Sequence, residues 1–234
     1  PKVCSSTRAV LGREALIRWN HPDRGLVDPD LFIPIAEQSL LINQIGNWTI
    51  RAACEEARSW DETISVSVNL SARQFLDPDL VDHVRQALRG TGITPSRLEF
   101  EVTETALIQN QSLAIAILNE LKAMGVQIAL DDFGTGYSSM SYIQTFPFDR
   151  IKIDRSFVSS MNVNRKSRAI VEAIIHLAHA LRIPVVAEGV ETEAQALALA
   201  MLGCEELQGY LIARPEPMAD RAAMSAFGNS LTAA

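Results

Sequence analysis

The 234-residue sequence has little of what a cross-linked, metal-stapled or membrane-crossing protein needs. Its three cysteines, Cys4, Cys54 and Cys204, are widely spaced and form no Cys-x-x-Cys pair, which argues against a disulfide framework and a zinc site and for reduced thiols. No stretch is apolar enough to span a bilayer, and the opening Pro1-Lys2-Val3 is not a signal peptide, so a cytoplasmic setting is expected. A Pro/Gly/Ser-rich break is missing too, so one domain over 1–234 is the expectation. There is no short-period repeat, and the only biased tract is the small-residue tail Gly228 to Ala234. Basic residues are outnumbered, 21 Lys and Arg against 28 Asp and Glu, and the net charge of -7 argues against a DNA- or RNA-binding surface. An opening at proline looks like a piece excised from a larger multidomain protein, whose missing flanks could carry an anchor or regulatory domains.

What the chain does have is hydrophobic patterning of an α/β kind, with 47% hydrophobic residues. Short runs rich in β-branched and aliphatic residues read as buried strands at Ile64 to Leu70, Leu98 to Val102, Val126 to Leu130, Arg150 to Ile153 and Ile183 to Ala187. Helical spacing fills the intervals at Asp30 to Ile42, Gln44 to Ala57, Pro78 to Leu88, Ser112 to Met124, Lys166 to Leu181 and Thr192 to Leu202. Asp77 before Pro78 predicts one helix start, Thr192 another, and Gly125 and Gly203 stand where helices end. Repeated strand–helix units imply a parallel sheet, and their number favours a (β/α)8 TIM-like barrel over an open doubly wound sheet. Cys4 to Arg8 are too polar for a core strand and are expected to form an exposed edge or turn, leaving the first strand irregular or truncated.

Polar residues recur at the strand ends. Glu14 follows Ala9 to Gly12, Asn69 ends Ser65 to Val68, and Glu101 follows Leu98 to Phe100. Asp131 and Asp132 follow Ile128 to Leu130, Lys152 and Asp154 alternate with Ile151 and Ile153, and Glu188 follows Val185 to Ala187. Gln208 stands in the last strand, before Gly209 and Tyr210. In a parallel barrel these ends converge on one mouth. Any one acid alone reads as a helix cap or loop charge. As a set they would repel one another and raise each other's pKa unless a cation held them. Oxygen donors without a His or Cys partner suit Mg²⁺ or Mn²⁺, and the adjacent Asp131 and Asp132 could flank two ions. The residue types alone reach metal-assisted chemistry on an anionic substrate and go no further.

Longer motifs sit at these same places. Glu14-Ala15-Leu16 runs on into Ile17-Arg18-Trp19 and His21-Pro22. Val68-Asn69-Leu70-Ser71, Glu101-Val102-Thr103-Glu104 and Asp131-Asp132-Phe133-Gly134-Thr135-Gly136-Tyr137-Ser138-Ser139 follow. Ile151-Lys152-Ile153-Asp154, Ala187-Glu188-Gly189-Val190-Glu191 and Gln208-Gly209-Tyr210 complete the set, across almost the whole chain. Together, and in this order, they resemble the motifs of EAL-domain cyclic di-GMP phosphodiesterases. The resemblance implies hydrolysis of cyclic di-GMP to linear pGpG with two divalent ions. It implies Glu14, Asn69, Glu101 and Asp131 as ligands of one ion, with Asp131 bridging to a second held by Asp132 and Glu188. Glu188 is also a candidate general base, and Lys152 would hold the attacking water or stabilise phosphoryl charge. Arg18 would grip a phosphate, beside Leu16. Asp154, Glu191 and Gln208 would orient, with Gln208 able to reach substrate. Glu104 would anchor the loop Phe133 to Ser139, where Gly134 and Gly136 allow unusual backbone conformations. That loop also implies a homodimer.

Two other readings stay open at this point. One is a silent cyclic di-GMP receptor, although such members lose ligands that this sequence keeps. The other is a barrel lyase or isomerase using Lys152 as a base beside Mg²⁺. His21, His176 and His179 read as structural, the last two without an evident acid partner. Family members begin with a further strand and a Tyr-Gln-Pro motif, of which this numbering retains the proline.

Overall fold

A computed structural model describes residues 1–109, 111–135, 146 and 148–217 of the chain. The strands are β1 (Lys2–Cys4), β2 (Val10–Ala15), β3 (Trp19–His21), β4 (Gly25–Val27), β5 (Ser65–Asn69), β6 (Leu98–Thr103), β7 (Gln127–Phe133), β8 (Arg150–Ile153), β9 (Val185–Ala187) and β10 (Glu206–Gln208). Eight of them close a barrel in the order β1-β10-β9-β8-β7-β6-β5-β2, and β3 and β4 form a separate hairpin. The helices are α1 (Pro29–Glu37), α2 (Leu41–Ala57), α3 (Leu80–Thr91), α4 (Glu104–Gln109), α5 (Gln111–Ala123), α6 (Arg155–Ser160), α7 (Arg165–Leu181) and α8 (Glu193–Met201).

Seven barrel strands run parallel, as the alternation of strand and helix implied. The first is the exception. β1 lies antiparallel to both neighbours, pairing Val3 with Leu207 of β10 and with Val10 of β2. Residues 5–7 form the expected turn, but Lys2–Cys4 is a true barrel strand with Val3 buried.

Alternation along each strand separates two environments. Val66, Val68, Leu98, Phe100, Val102, Ile128, Leu130, Ile151, Ile153 and Val185 belong to one apolar cluster with helix residues such as Ile50, Val84, Leu118, Leu121, Val171 and Ile175. The intervening residues face the barrel axis. Contacts between strands that are not neighbours show this: Arg150 of β8 bonds Glu99 of β6 at 2.6 Å and Glu206 of β10 at 2.9 Å. Barrels of this architecture usually fill the axis with bulky branched residues. Here ion pairs fill part of it.

Several element ends differ from the sequence expectation for identifiable reasons. The helix expected over Asp30 to Ile42 stops at Glu37, and its last residues open α2 instead. Ser39 causes the break: its hydroxyl donates to the Ala36 carbonyl at 3.1 Å and accepts from the Leu41 amide at 3.4 Å. Asp77 does not cap a helix at Pro78. Its carboxylate accepts the Asp79 N–H at 3.0 Å in a turn, and α3 begins at Leu80. Thr192 does cap α8, in a capping box with Gln195.

Candidate functional site at the barrel mouth

The parallel strands deliver Glu14, Asn69, Glu101, Asp131, Lys152, Glu188 and Gln208 to their C-terminal ends, where they meet. Register places Asn69 beside Glu101 and Thr103 beside Asp131. Lys152, 1% exposed, is the hub. Its ammonium lies 2.5 Å from Glu101 Oε2, 2.6 Å from Glu188 Oε1 and 3.3 Å from Asp131 Oδ1. Glu14 is gripped from two sides, by the Asn69 amide at 2.8 Å and the Gln208 amide at 2.6 Å.

Two consecutive strand residues normally point to opposite faces, so a shared Asp131–Asp132 site needs a backbone device. Asp132 provides it, with a φ of 52° in the left-handed region that non-glycine residues rarely occupy. The β7–β8 register shifts between Leu130 and Phe133 at this bulge. Both carboxylates thereby approach Glu188, and oxygens of Asp131, Asp132 and Glu188 lie within 4.8 Å of one another.

The electrostatics of this cluster are unbalanced. Burial pushes Glu101 up to about 8 against the pull of Lys152, with Glu14 adding to the upward push. Burial, opposed by Lys152 and reinforced by Asp131, takes Glu188 to about 7. Burial and the neighbouring Asp131 and Asp154 charges raise Asp132 to about 6. Lys152 moves well above its ordinary value because Glu101, Glu188, Glu14 and Asp131 outweigh its burial. Glu14 alone is lowered: Lys152 and the two amide donors overcome its burial. Glu101 Oε1 and Gln208 Oε1 accept no hydrogen bond, although both are buried. Hard oxygen donors, orphaned acceptors and carboxyls pushed upward for want of positive charge together fit a divalent cation.

The remaining candidates surround this centre without joining it. Glu104 is buried and accepts the Gly134 N–H at 3.1 Å, so it holds the start of the loop after β7. Gly134 has the positive φ expected of it, 94°, while Gly136 to Ser139 lie outside the described residues. Asp154 caps α6, accepting the Ser156 N–H at 3.0 Å. Glu191 is exposed at the rim. Leu16 and Arg18 line the cleft above the mouth, a cavity of about 2000 Å³, together with Glu188, Glu191 and Gln208. Arg18 turns its guanidinium back onto the Ile17 carbonyl, at 2.7 Å.

Sequence reading missed Arg155, Tyr210 and Arg214, which line the same cleft. Arg155 directly follows the Asp154 cap, and the Arg214 guanidinium stacks over the Tyr210 ring at 4.7 Å. Their signal was position alone, within a few residues of a strand end. Gly209 brings this last turn close: a Cβ there would lie 2.3 Å from the Val190 backbone. Two of the histidines read as structural make hydrogen bonds within the fold. His21 accepts the Asp23 N–H at 3.1 Å. His179 does have an acid partner, Glu205, at 3.1 Å, brought by the fold from 26 residues away.

A family model described as "EAL domain" matches residues 1–215. The bifunctional diguanylate cyclase/cyclic di-GMP phosphodiesterase MucR of Pseudomonas aeruginosa is 46% identical over 221 residues, covering 93% of this chain and 32% of that protein. The cyclic di-GMP phosphodiesterase NbdA of the same organism is 44% identical over 210 residues, covering 88% of this chain and 27% of that protein. The chain thus spans between about a quarter and a third of the length of these relatives. Among solved structures, the PaMucR phosphodiesterase in complex with c-di-GMP superposes with a TM-score of 0.89 at 46% identity, covering 93% of this chain and 90% of that one.

Proposed function

This chain belongs to the EAL domain family, and from that premise we propose that it hydrolyses cyclic di-GMP to linear pGpG at the barrel mouth. The observation that carries the reading is the cluster of Asp131, Asp132 and Glu188 oxygens within 4.8 Å, beside the buried Lys152. Relatives that bear the phosphodiesterase name support it.

In this reading Glu14, Asn69, Glu101 and Asp131 hold one divalent ion, Mg²⁺ or Mn²⁺, and Asp131, Asp132 and Glu188 hold a second. Bound there, the ions supply Lewis-acid activation of water and neutralise charge on phosphorus. The chain's own groups do the rest. Lys152 donates to the charge that develops on the phosphoryl oxygens. Glu188, whose carboxylate lies 2.6 Å from the Lys152 ammonium, accepts the proton of the attacking water. In-line attack forms the new P–O bond as the opposite one breaks, and the leaving ribose oxygen takes up a proton from solvent water. Arg18 swings from the Ile17 carbonyl to a substrate phosphate, and Leu16 packs beside it. Gln208 and Asp154 contact the substrate at the rim. Glu104 fixes the loop and Glu191 orients the groups around Glu188. We further read residues 1–234 as one such domain of a longer cytoplasmic protein that pairs as a homodimer and carries regulatory domains elsewhere.

Incubation of the purified chain with cyclic di-GMP and Mg²⁺ or Mn²⁺, with and without EDTA, followed by chromatography, tests the reading. Metal-dependent pGpG that disappears with EDTA is expected. Intact nucleotide with saturable binding would replace the enzyme by a receptor, and neither turnover nor binding would sink both.

A further inference from the structure

The barrel axis holds a second buried lysine that the chemistry above does not use. Lys2 is 1% exposed. Its stem crosses β2 at Gly12, where a Cβ would lie 3.0 Å from Lys2 Cε and 2.5 Å from Ser65 Oγ. A larger residue at 12 would crowd that stem and the Ser65 hydroxyl. The ammonium donates to Ser67 Oγ and to Glu99 Oε1. It also lies 3.7 Å from Glu101 Oε1. Glu101 is thus held between two cations, Lys152 on one oxygen at 2.5 Å and Lys2 facing the other, which accepts no hydrogen bond.

Glu99 does not serve Lys2 alone. It is shared with Arg150, which also pairs with Glu206, so the four groups balance in net charge while the Lys2 ammonium keeps Glu101 as a second carboxylate neighbour. In this buried setting the attraction across the 3.7 Å between Lys2 and Glu101 is little screened.

We propose that Lys2 is a built-in counter-cation that sets the divalent-ion affinity of the mouth by competing, through Glu101, with the ion bound there. The inference rests on the metal-dependent reading of the site. It assigns to the strand that closes the barrel a part in how tightly the opposite side of the axis holds metal.

Isothermal titration of Mn²⁺ into the metal-stripped chain, with folding checked by circular dichroism, tests it without reference to turnover. Lys2→Met keeps the stem and removes the charge, and should bind Mn²⁺ at least five-fold tighter. A merely structural lysine would, on removal, loosen binding or leave it alone. Glu99→Gln releases more of the Lys2 charge onto Glu101 and should bind at least three-fold weaker. Glu206→Gln, which touches Arg150 and not Lys2, should stay within two-fold of the wild type. Affinity in Lys2→Met that is unchanged or weaker overturns the proposal, as does equal weakening by Glu99→Gln and Glu206→Gln. If Lys2→Met does not fold, the contrast between the two glutamine variants decides the matter. A wild-type chain that binds no Mn²⁺ overturns the metal reading as well, whereas wild-type binding with unaltered variants overturns only this inference.

Discussion

The floor and the mouth of this barrel are made from the same strands, yet they treat charge in opposite ways. At the floor, Lys2 and Arg150 meet Glu99 and Glu206. Burial works against the Glu99 charge, but Lys2 and Arg150 override it and hold the carboxyl down at about 2. At the mouth, Lys152 stands among Glu14, Glu101, Asp131 and Glu188, and carboxyls are driven up to about 8 at Glu101 and about 7 at Glu188. One strand shows both outcomes, since Glu99 and Glu101 are two residues apart on β6. A buried ion network completed by the protein's own side chains is structural. One left short of positive charge is a place for something else to bind.

This contrast can be broken, and the largest effect is expected on turnover. Lys152→Ala or Asp131→Ala should lower kcat by about 10²–10³-fold or more, the scale for losing one preorganised electrostatic group. Near-normal pGpG formation by either variant would remove the mouth from the mechanism. The next effect is on stability and belongs to the floor. Arg150→Ala leaves Glu99 and Glu206 with one cation fewer and should cost about 3–5 kcal/mol in urea unfolding, as breaking a buried pair does. A loss below about 1 kcal/mol would make the floor as dispensable as a surface ion pair.

A smaller effect carries the opposite sign. Asp132→Asn removes an acid from the overcharged mouth, so without metal its thermal midpoint should rise by about 2–4 °C, the equivalent of about 1 kcal/mol in a chain of this size. A fall would mean that the mouth is balanced after all. The smallest perturbation is chemical labelling at pH 7. Hydrogen bonds from Ser6 and Thr7 lower the Cys4 thiol to about 6, while burial pushes Cys54 and Cys204 up to about 12. A thiol reagent should therefore modify Cys4 quickly and reach the other two only as the chain unfolds. Early loss of Cys204 would show that β9 and β10 open locally.

Most of the mouth was legible because its residues stand at strand ends, where a change from aliphatic to acidic is visible in one dimension. Asp131-Asp132 after Ile128 to Leu130 is such a change. The floor was not legible. Leu98-Glu99-Phe100-Glu101-Val102 displays its period of two openly, but alternation does not say whether the second face meets water or a closed axis. Lys2 was hidden for a related reason, since its partners Ser67 and Glu99 lie 65 and 97 residues away and no local pattern announces them. The turn at Asp132 was equally silent, because left-handed conformations are anticipated at glycine and seldom at aspartate. Asp154 was read for its place after Ile153, and its capping of α6 became visible only with Ser156 in view.

The antiparallel strand β1 has a consequence for how the chain assembles. It forms both seams of the barrel, so Lys2 pairs with Gly12 on one side and with Gln208 on the other. The second of these loops spans nearly the entire described sequence, and contacts of such separation are slow to form. During synthesis the sheet must wait, open-edged, until the segment around Gln208 has emerged, and only then can the three residues of β1 zip onto β10. Retarding translation just ahead of the segment around Gln208 should therefore lengthen the life of an exposed, aggregation-prone edge.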